Sequence, residues 1–140
     1  MLRTHTCGEL RESHVGQKVT LCGWVQTIRA HGGVVFMDIR DRYGVTQTVF
    51  TKKHVDFEKV KSLAMESSVG VSGEVVKRQA HSENKDISTG DIEVFGSAIE
   101  VFNSCPALPF MLNEDSVSED VRWKYRYLDL RSKRLQDNLI

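Results

Sequence analysis

Residues 18–51 read KVTLCGWVQTIRAHGGVVFMDIRDRYGVTQTVFT, and the period of this stretch decides the fold. From Lys18 to Arg29 the side chains alternate. Val19, Leu21, Gly23 and Val25 share one face, while Thr20, Cys22, Trp24 and Gln26 share the other. That is the pattern of a half-buried strand. Gly23 inside it predicts a bulge or a sharp bend. Gly32-Gly33 marks a turn. Val34 to Arg40 then alternates again, with Val35, Met37 and Ile39 opposite Val34, Phe36, Asp38 and Arg40. Asp41-Arg42-Tyr43-Gly44 reads as a tight hairpin turn in which Gly44 is free to take positive φ, and Val45 to Thr51 as a third strand.

Outward from this core the period changes. Val55, Phe57, Val60, Leu63 and Ala64 fall at helical spacing, which predicts an amphipathic helix over residues 54–66. Val69, Val71, Gly73 and Val75 restore the strand period over 68–78. Residues 79–90 are polar and read as a mobile loop, and 91–103 as a fifth long strand. Upstream, Cys7 to Gly16 reads as a helical turn or short helix closed by Gly16. Three strands, a helix and two further strands make the order of a five-stranded Greek-key barrel with a helix between strands 3 and 4, the OB-fold. It is expected over residues 1–104. Residues 105–118 contain both prolines, Pro106 and Pro109, and read as a linker. Ser118-Glu119-Asp120 opens a helix running to about Leu130. Residues 119–140 are expected to begin a second domain, because Asn138-Leu139-Ile140 stops inside an apolar, helix-like run.

Composition narrows the function. The chain has 140 residues, 40% apolar and 27% charged, a globular profile. No apolar run approaches the ~20 residues of a membrane span, and no secretory leader follows Met1, so a cytoplasmic protein is expected. Cys7, Cys22 and Cys105 are widely spaced and form no C-x-x-C pair, which speaks against a disulfide framework or a zinc site. Nineteen basic and nineteen acidic residues cancel, and the balance is also local, with 13 of each sign in residues 1–104 and 6 of each in 105–140. RNA affinity therefore has to come from placed charges and ring stacking rather than from net charge.

No phosphate loop, dinucleotide fingerprint or metalloprotease motif is present, so no catalytic residue is assigned. The pattern instead offers a binding face. Phe36 alternates with charged residues and suits stacking on a base, with a plug at one end of the barrel as the alternative. Gln47 carries a paired donor and acceptor. Glu93 alternates with Ile92 and Val94, and a carboxylate can accept both from N1–H and from the exocyclic amine of guanine. Arg29, Arg42, Lys52, Lys77 and Arg78 are candidates for phosphate contacts, with solvated surface charges as the alternative.

Cys22-Gly23-Trp24-Val25, then Arg29, His31-Gly32-Gly33, Phe36, Asp38, Arg40-Asp41-Arg42, Gly44 and Gln47, closely resembles the first two hairpins of bacterial aspartyl-tRNA synthetases. Thr89-Gly90-Asp91-Ile92-Glu93-Val94 resembles that family's last barrel strand. Lys124-Tyr125-Arg126-Tyr127-Leu128-Asp129-Leu130-Arg131 resembles the approach to its class II catalytic domain. The resemblance implies an anticodon-binding domain for aspartate tRNA, anticodon GUC. Phe36 would stack on the middle base, Gln47 would bond in the same region, Glu93 would read the first base, and Arg29 would hold the anticodon. His31, Arg42, Lys77 and Arg78 are secondary candidates. The whole enzyme would be a homodimer that uses ATP and magnesium to activate L-aspartate and charge the tRNA. Its catalytic residues would lie beyond Ile140, so this chain alone is expected to bind tRNA without catalysis. His31-Gly32 sits in a loop resembling members that accept both aspartate and asparagine tRNAs. Thr27-Ile28-Arg29-Ala30 departs from the family's basic run, which implies fewer phosphate contacts and a shallower salt dependence. The competing readings are a freestanding single-strand-binding barrel and the corresponding domain of an asparaginyl- or lysyl-tRNA synthetase.

Overall fold

A computed structural model describes all of residues 1–140 and divides them into two compact units, Met1–Pro106 and Ala107–Ile140. The first unit is a closed barrel of β1 (Lys18–His31), β2 (Val34–Arg40), β3 (Val45–Thr51), β4 (Ser68–Lys77) and β5 (Ile92–Asn103) in the order β1-β2-β3-β5-β4. Helix α1 (Phe57–Lys61) lies between β3 and β4 in sequence. This is the expected Greek-key barrel. All ladders are antiparallel except β3–β5, which is parallel and limited to Thr48↔Val94 and Val49↔Phe95.

The alternation read from the sequence selects the inside. Val19, Leu21, Val25, Val35, Met37, Ile39, Val69, Val71, Val75, Ile92 and Val94 are buried, packed with Phe50, Leu10 and Cys7. Burial of roughly this many apolar side chains, each contributing about 1.5–3 kcal/mol, is what closes the barrel. The thiols are free, and burial raises the Cys7 thiol well above its ordinary range.

Three local expectations need correction. The helix over 54–66 shrinks to Phe57–Lys61. Phe57 and Val60 are buried as the spacing requires, but Val55 is 95% exposed. The chain leaves the helix because Glu66 adopts φ 67° and donates its backbone N–H to Val25 O, 2.7 Å away, rather than back along a helix. Gly23 is not the bulge: the register of β1 against β2 shifts between Val25 and Thr27. Gly23 instead permits close strand approach, since a Cβ there would meet Arg40 O at 2.4 Å. Gly44 does not take positive φ either. The turn is shaped by Asp41, whose Oδ1 accepts from Tyr43 N (2.7 Å) and Gly44 N (3.1 Å). Gly44 is small because a Cβ would lie 2.7 Å from Gly8 Cα. Upstream, the helical turn expected before Gly16 is a 3-10 turn, Glu12–His14, and Gly16 follows it at φ 90°.

In the second unit, Ser118 caps α2 (Glu119–Lys124) by accepting from Val121 N. The predicted single helix to Leu130 is interrupted at Tyr125, with φ −112° and ψ 45°. It continues as α3 (Arg126–Asp129), followed by α4 (Lys133–Leu139). Buried Asp129 anchors the break, accepting from Arg122 Nε at 3.2 Å and Arg126 Nη1 at 2.9 Å. No helix is long and apolar enough to cross a membrane.

Candidate nucleic-acid interface

Pairing places one set of outward side chains in register. Arg29 on β1 faces Phe36 on β2, Thr27 faces Asp38, Phe36 faces Val49 on β3, and Asp38 faces Gln47. The parallel ladder then sets Val49 beside Phe95 on β5, two residues beyond Glu93. Because side chains alternate along a strand, these residues share the outer face. All but Thr27, which lies behind Asp38, floor a groove of about 700 Å³, walled on one side by Gln79, Ser82, Asn84 and Ile87 of the loop after β4.

The polar side chains of the floor form one chain of hydrogen bonds across four strands. Thr27 Oγ1 donates to Asp38 Oδ2 at 2.6 Å. Arg29 Nη2 lies 3.4 Å from both oxygens of Asp38 and donates to Gln47 Oε1 at 3.0 Å. Gln47 Nε2 donates to Glu93 Oε2 at 2.7 Å. A guanidinium can only donate and a carboxylate can only accept, so these two neighbours fix which end of the Gln47 amide is oxygen. Gln47 retains one N–H and one lone pair for a ligand, and Glu93 Oε1 makes no hydrogen bond within the chain.

Phe36 is half-buried, with its ring centroid 6.2 Å from that of His31 at an interplanar angle of 59°. Arg78 is 7% exposed. Its Nε donates to Ile92 O at 3.0 Å and its Nη1 to Ser82 O at 3.4 Å, so it pins the loop to β5. Burial lowers the Arg78 pKa, against the opposing pull of the Glu93 carboxylate.

Of the residues singled out in the sequence, the fold brings together Arg29, Phe36, Gln47, Glu93, His31, Lys77 and Arg78. Gln47 is less exposed than its strand position implied, at 7%, because Arg29 and Glu93 close over it. Lys77 stands at the rim, bound to Glu12 at 3.1 Å. That hydrogen bond raises its pKa. Arg42 falls outside: it is exposed in the β2–β3 turn and does not line the groove, and neither does Lys52. Sequence reasoning passed over Asp38, Thr27, Phe95 and the loop residues Ser82 and Asn84. Phe95 and Asp38 were within reach, since both keep the alternation of Glu93 and Phe36. Thr27 was not, because the bulge after Val25 reverses its parity.

Comparison with known proteins agrees with this fold. The chain spans 24% of the aspartate–tRNA(Asp/Asn) ligase of Thermotoga neapolitana, matching it along 100% of its own length at 52% identity. It is 47% identical to the ligase of the same name from Rubrobacter xylanophilus, over 99% of this chain and 23% of that protein. The asparaginyl-tRNA synthetase of Pyrococcus horikoshii, solved with asparaginyl-adenylate, superposes with a TM-score of 0.81 at 33% identity, over 94% of this chain and 30% of that one. An OBody bound to hen egg-white lysozyme shares the fold, with a TM-score of 0.63 at 24% identity, over 75% of this chain and 97% of that one. The family model described as an OB-fold nucleic acid binding domain of the tRNA anticodon type matches residues 19–102. With the barrel order, the walled groove and this match in agreement, the chain belongs to the tRNA-anticodon family of OB-fold nucleic-acid-binding domains.

Proposed function

We propose that this chain is the anticodon-recognition domain of an aspartate–tRNA ligase and that the groove takes the unpaired bases of the anticodon loop. The observation that carries the reading is the placement of the Phe36 ring beside the Arg29–Gln47–Glu93 hydrogen-bond chain on one outer face. A ring supplies sequence-tolerant stacking, and fixed polar groups beside it supply discrimination. In this reading Phe36 stacks on the middle base of GUC and Gln47 offers it one donor and one acceptor. Glu93 accepts from guanine at the first position. Arg29 and Arg78 balance the carboxylates and meet phosphate or base oxygens, and His31 and Lys77 stand at the rim.

The domains are drawn at residues 1–104, 105–118 and 119–140, the last beginning a class II catalytic domain. The whole enzyme, a cytoplasmic homodimer, joins L-aspartate to tRNA with ATP and magnesium. That chemistry is assigned to none of the residues described above. Aspartate and asparagine anticodons, GUC and GUU, share their first two bases, so the three residues that read those bases do not separate the two tRNAs. The relatives named for both tRNAs support a ligase that accepts both. Charging of asparagine tRNA by the whole enzyme tests this, and absence of product rejects it.

The test of the domain's role is equilibrium binding of a GUC stem-loop against one with a changed middle base. Preference for GUC is expected. Equal affinity for scrambled loops would favour a general single-strand-binding barrel.

A further inference from the structure

The groove floor holds a second aromatic ring that the roles above leave unused. Of the exposed aromatic side chains of the barrel unit, Trp24, Tyr43, Phe95 and Phe102, only Phe95 lines the groove. It is 46% exposed. Pairing sets Phe36, Val49 and Phe95 in one row on β2, β3 and β5, all facing outward. Two steps of strand spacing put the backbones of the two phenylalanines about 10 Å apart. Stacked bases are separated by about 3.4 Å, so the two rings cannot serve neighbouring bases that remain stacked on each other. They suit two bases each turned out of the stack. On the far side Phe95 pairs with exposed Glu74 of β4. A carboxylate there repels phosphate, which favours the uncharged face of a base over the backbone.

We propose that Phe95 is a second stacking platform, taking an unpaired base of the same RNA loop other than the one on Phe36. The proposal rests on the anticodon reading and adds a subsite to it. Stacking on an aromatic residue is lost on alanine substitution at about 1–3 kcal/mol per base, corresponding to a fall in affinity of about 5- to 150-fold.

The experiment uses the 140-residue chain and a series of GUC stem-loops, each with one abasic nucleotide in the loop. Binding is measured for the unsubstituted chain, Phe36→Ala, Phe95→Ala and Phe95→Leu, with thermal unfolding confirming that each folds. Leucine keeps the apolar bulk and removes the ring. Both Phe95 variants are expected to bind the intact loop about 5- to 150-fold more weakly. They should also be insensitive to an abasic nucleotide at one particular position, different from the position coupled to Phe36. Two results overturn the second platform while leaving the anticodon reading standing. One is binding by both Phe95 variants within about twofold of the unsubstituted chain, while Phe36→Ala is impaired. The other is retention by the Phe95 variants of full sensitivity at every loop position. If the unsubstituted chain shows no preference for the stem-loop at all, the anticodon reading fails and the subsite fails with it.

Discussion

Gln47 on β3 donates to Glu93 on β5 at 2.7 Å, one residue before the only two backbone pairs that join these strands. The same bond therefore aligns two polar side chains of the groove floor and supports the shortest seam of the barrel. Neither residue is placed by its own strand alone. They are 46 positions apart in sequence, and only closure of the sheet makes them neighbours.

Asp38 positions the pair through Arg29. Its carboxylate accepts from Thr27 at 2.6 Å and holds the Arg29 guanidinium at 3.4 Å. Asp38→Asn puts an amide donor against one of those donors. The expected outcome is several-fold weaker binding of the GUC stem-loop with little change in unfolding temperature, since Arg29 is exposed and its ion pair contributes at most about 1 kcal/mol to stability. Titration of the stem-loop alongside thermal unfolding checks both halves.

Arg40 and Glu66 form the buried ion pair of the barrel, with Nη2 at 2.8 and 2.9 Å from the two carboxylate oxygens. Their side chains are 14% and 3% exposed. Glu66→Ala removes one partner and leaves a largely buried cation, a change that costs about 3–5 kcal/mol. Urea unfolding should show a lower midpoint with an unchanged slope.

Gly44→Ala tests why the hairpin turn carries glycine. If positive φ were the reason for glycine, the penalty would be backbone strain. With the φ found here, the added methyl instead presses on the backbone of Gly8. Overpacking of this kind costs about 1–3 kcal/mol. A lowered thermal midpoint together with amide chemical-shift changes around Gly8 is the expected result.

Cys7 carries a pH prediction. Burial is the main cause of its raised pKa, with the Asp41 carboxylate next. In the unfolded chain the thiol ionises near its ordinary value of 9.0. The native state favours the protonated form, so its contribution is intact below that pH and is lost as pH rises above it. Stability measured from pH 7 to 10 should decline at the upper end, and Cys7→Ser should flatten that decline. Iodoacetamide at pH 8 should leave Cys7 unmodified until denaturant is added.

The barrel was legible because its strands obey period two so strictly. Val35, Met37 and Ile39 declare the inside of β2, and Phe36 and Asp38 the outside. Helix α1 was overread because Val55, Leu63 and Ala64 have the right spacing, whereas the chain direction there is set by the Glu66–Val25 backbone bond, a tertiary contact. In the groove, Phe36, Gln47 and Glu93 were found from alternation together with family resemblance. Thr27 was hidden by the bulge, and Arg42, a phosphate candidate by charge, is carried away from the groove by the turn that Asp41 shapes. Phe95 shows the opposite case: its outward parity was plain, and only closure of the barrel shows that β5 borders the groove.

The most direct measurement replaces the first anticodon guanine by inosine, which lacks only the exocyclic amine. If Glu93 accepts from that amine, the unsubstituted chain should bind the guanine loop about tenfold or more tightly than the inosine loop, as a hydrogen bond to a charged group implies. Glu93→Gln should bind the two loops nearly alike. Equal binding of both loops by the unsubstituted chain, or undiminished preference for guanine in Glu93→Gln, would contradict the account.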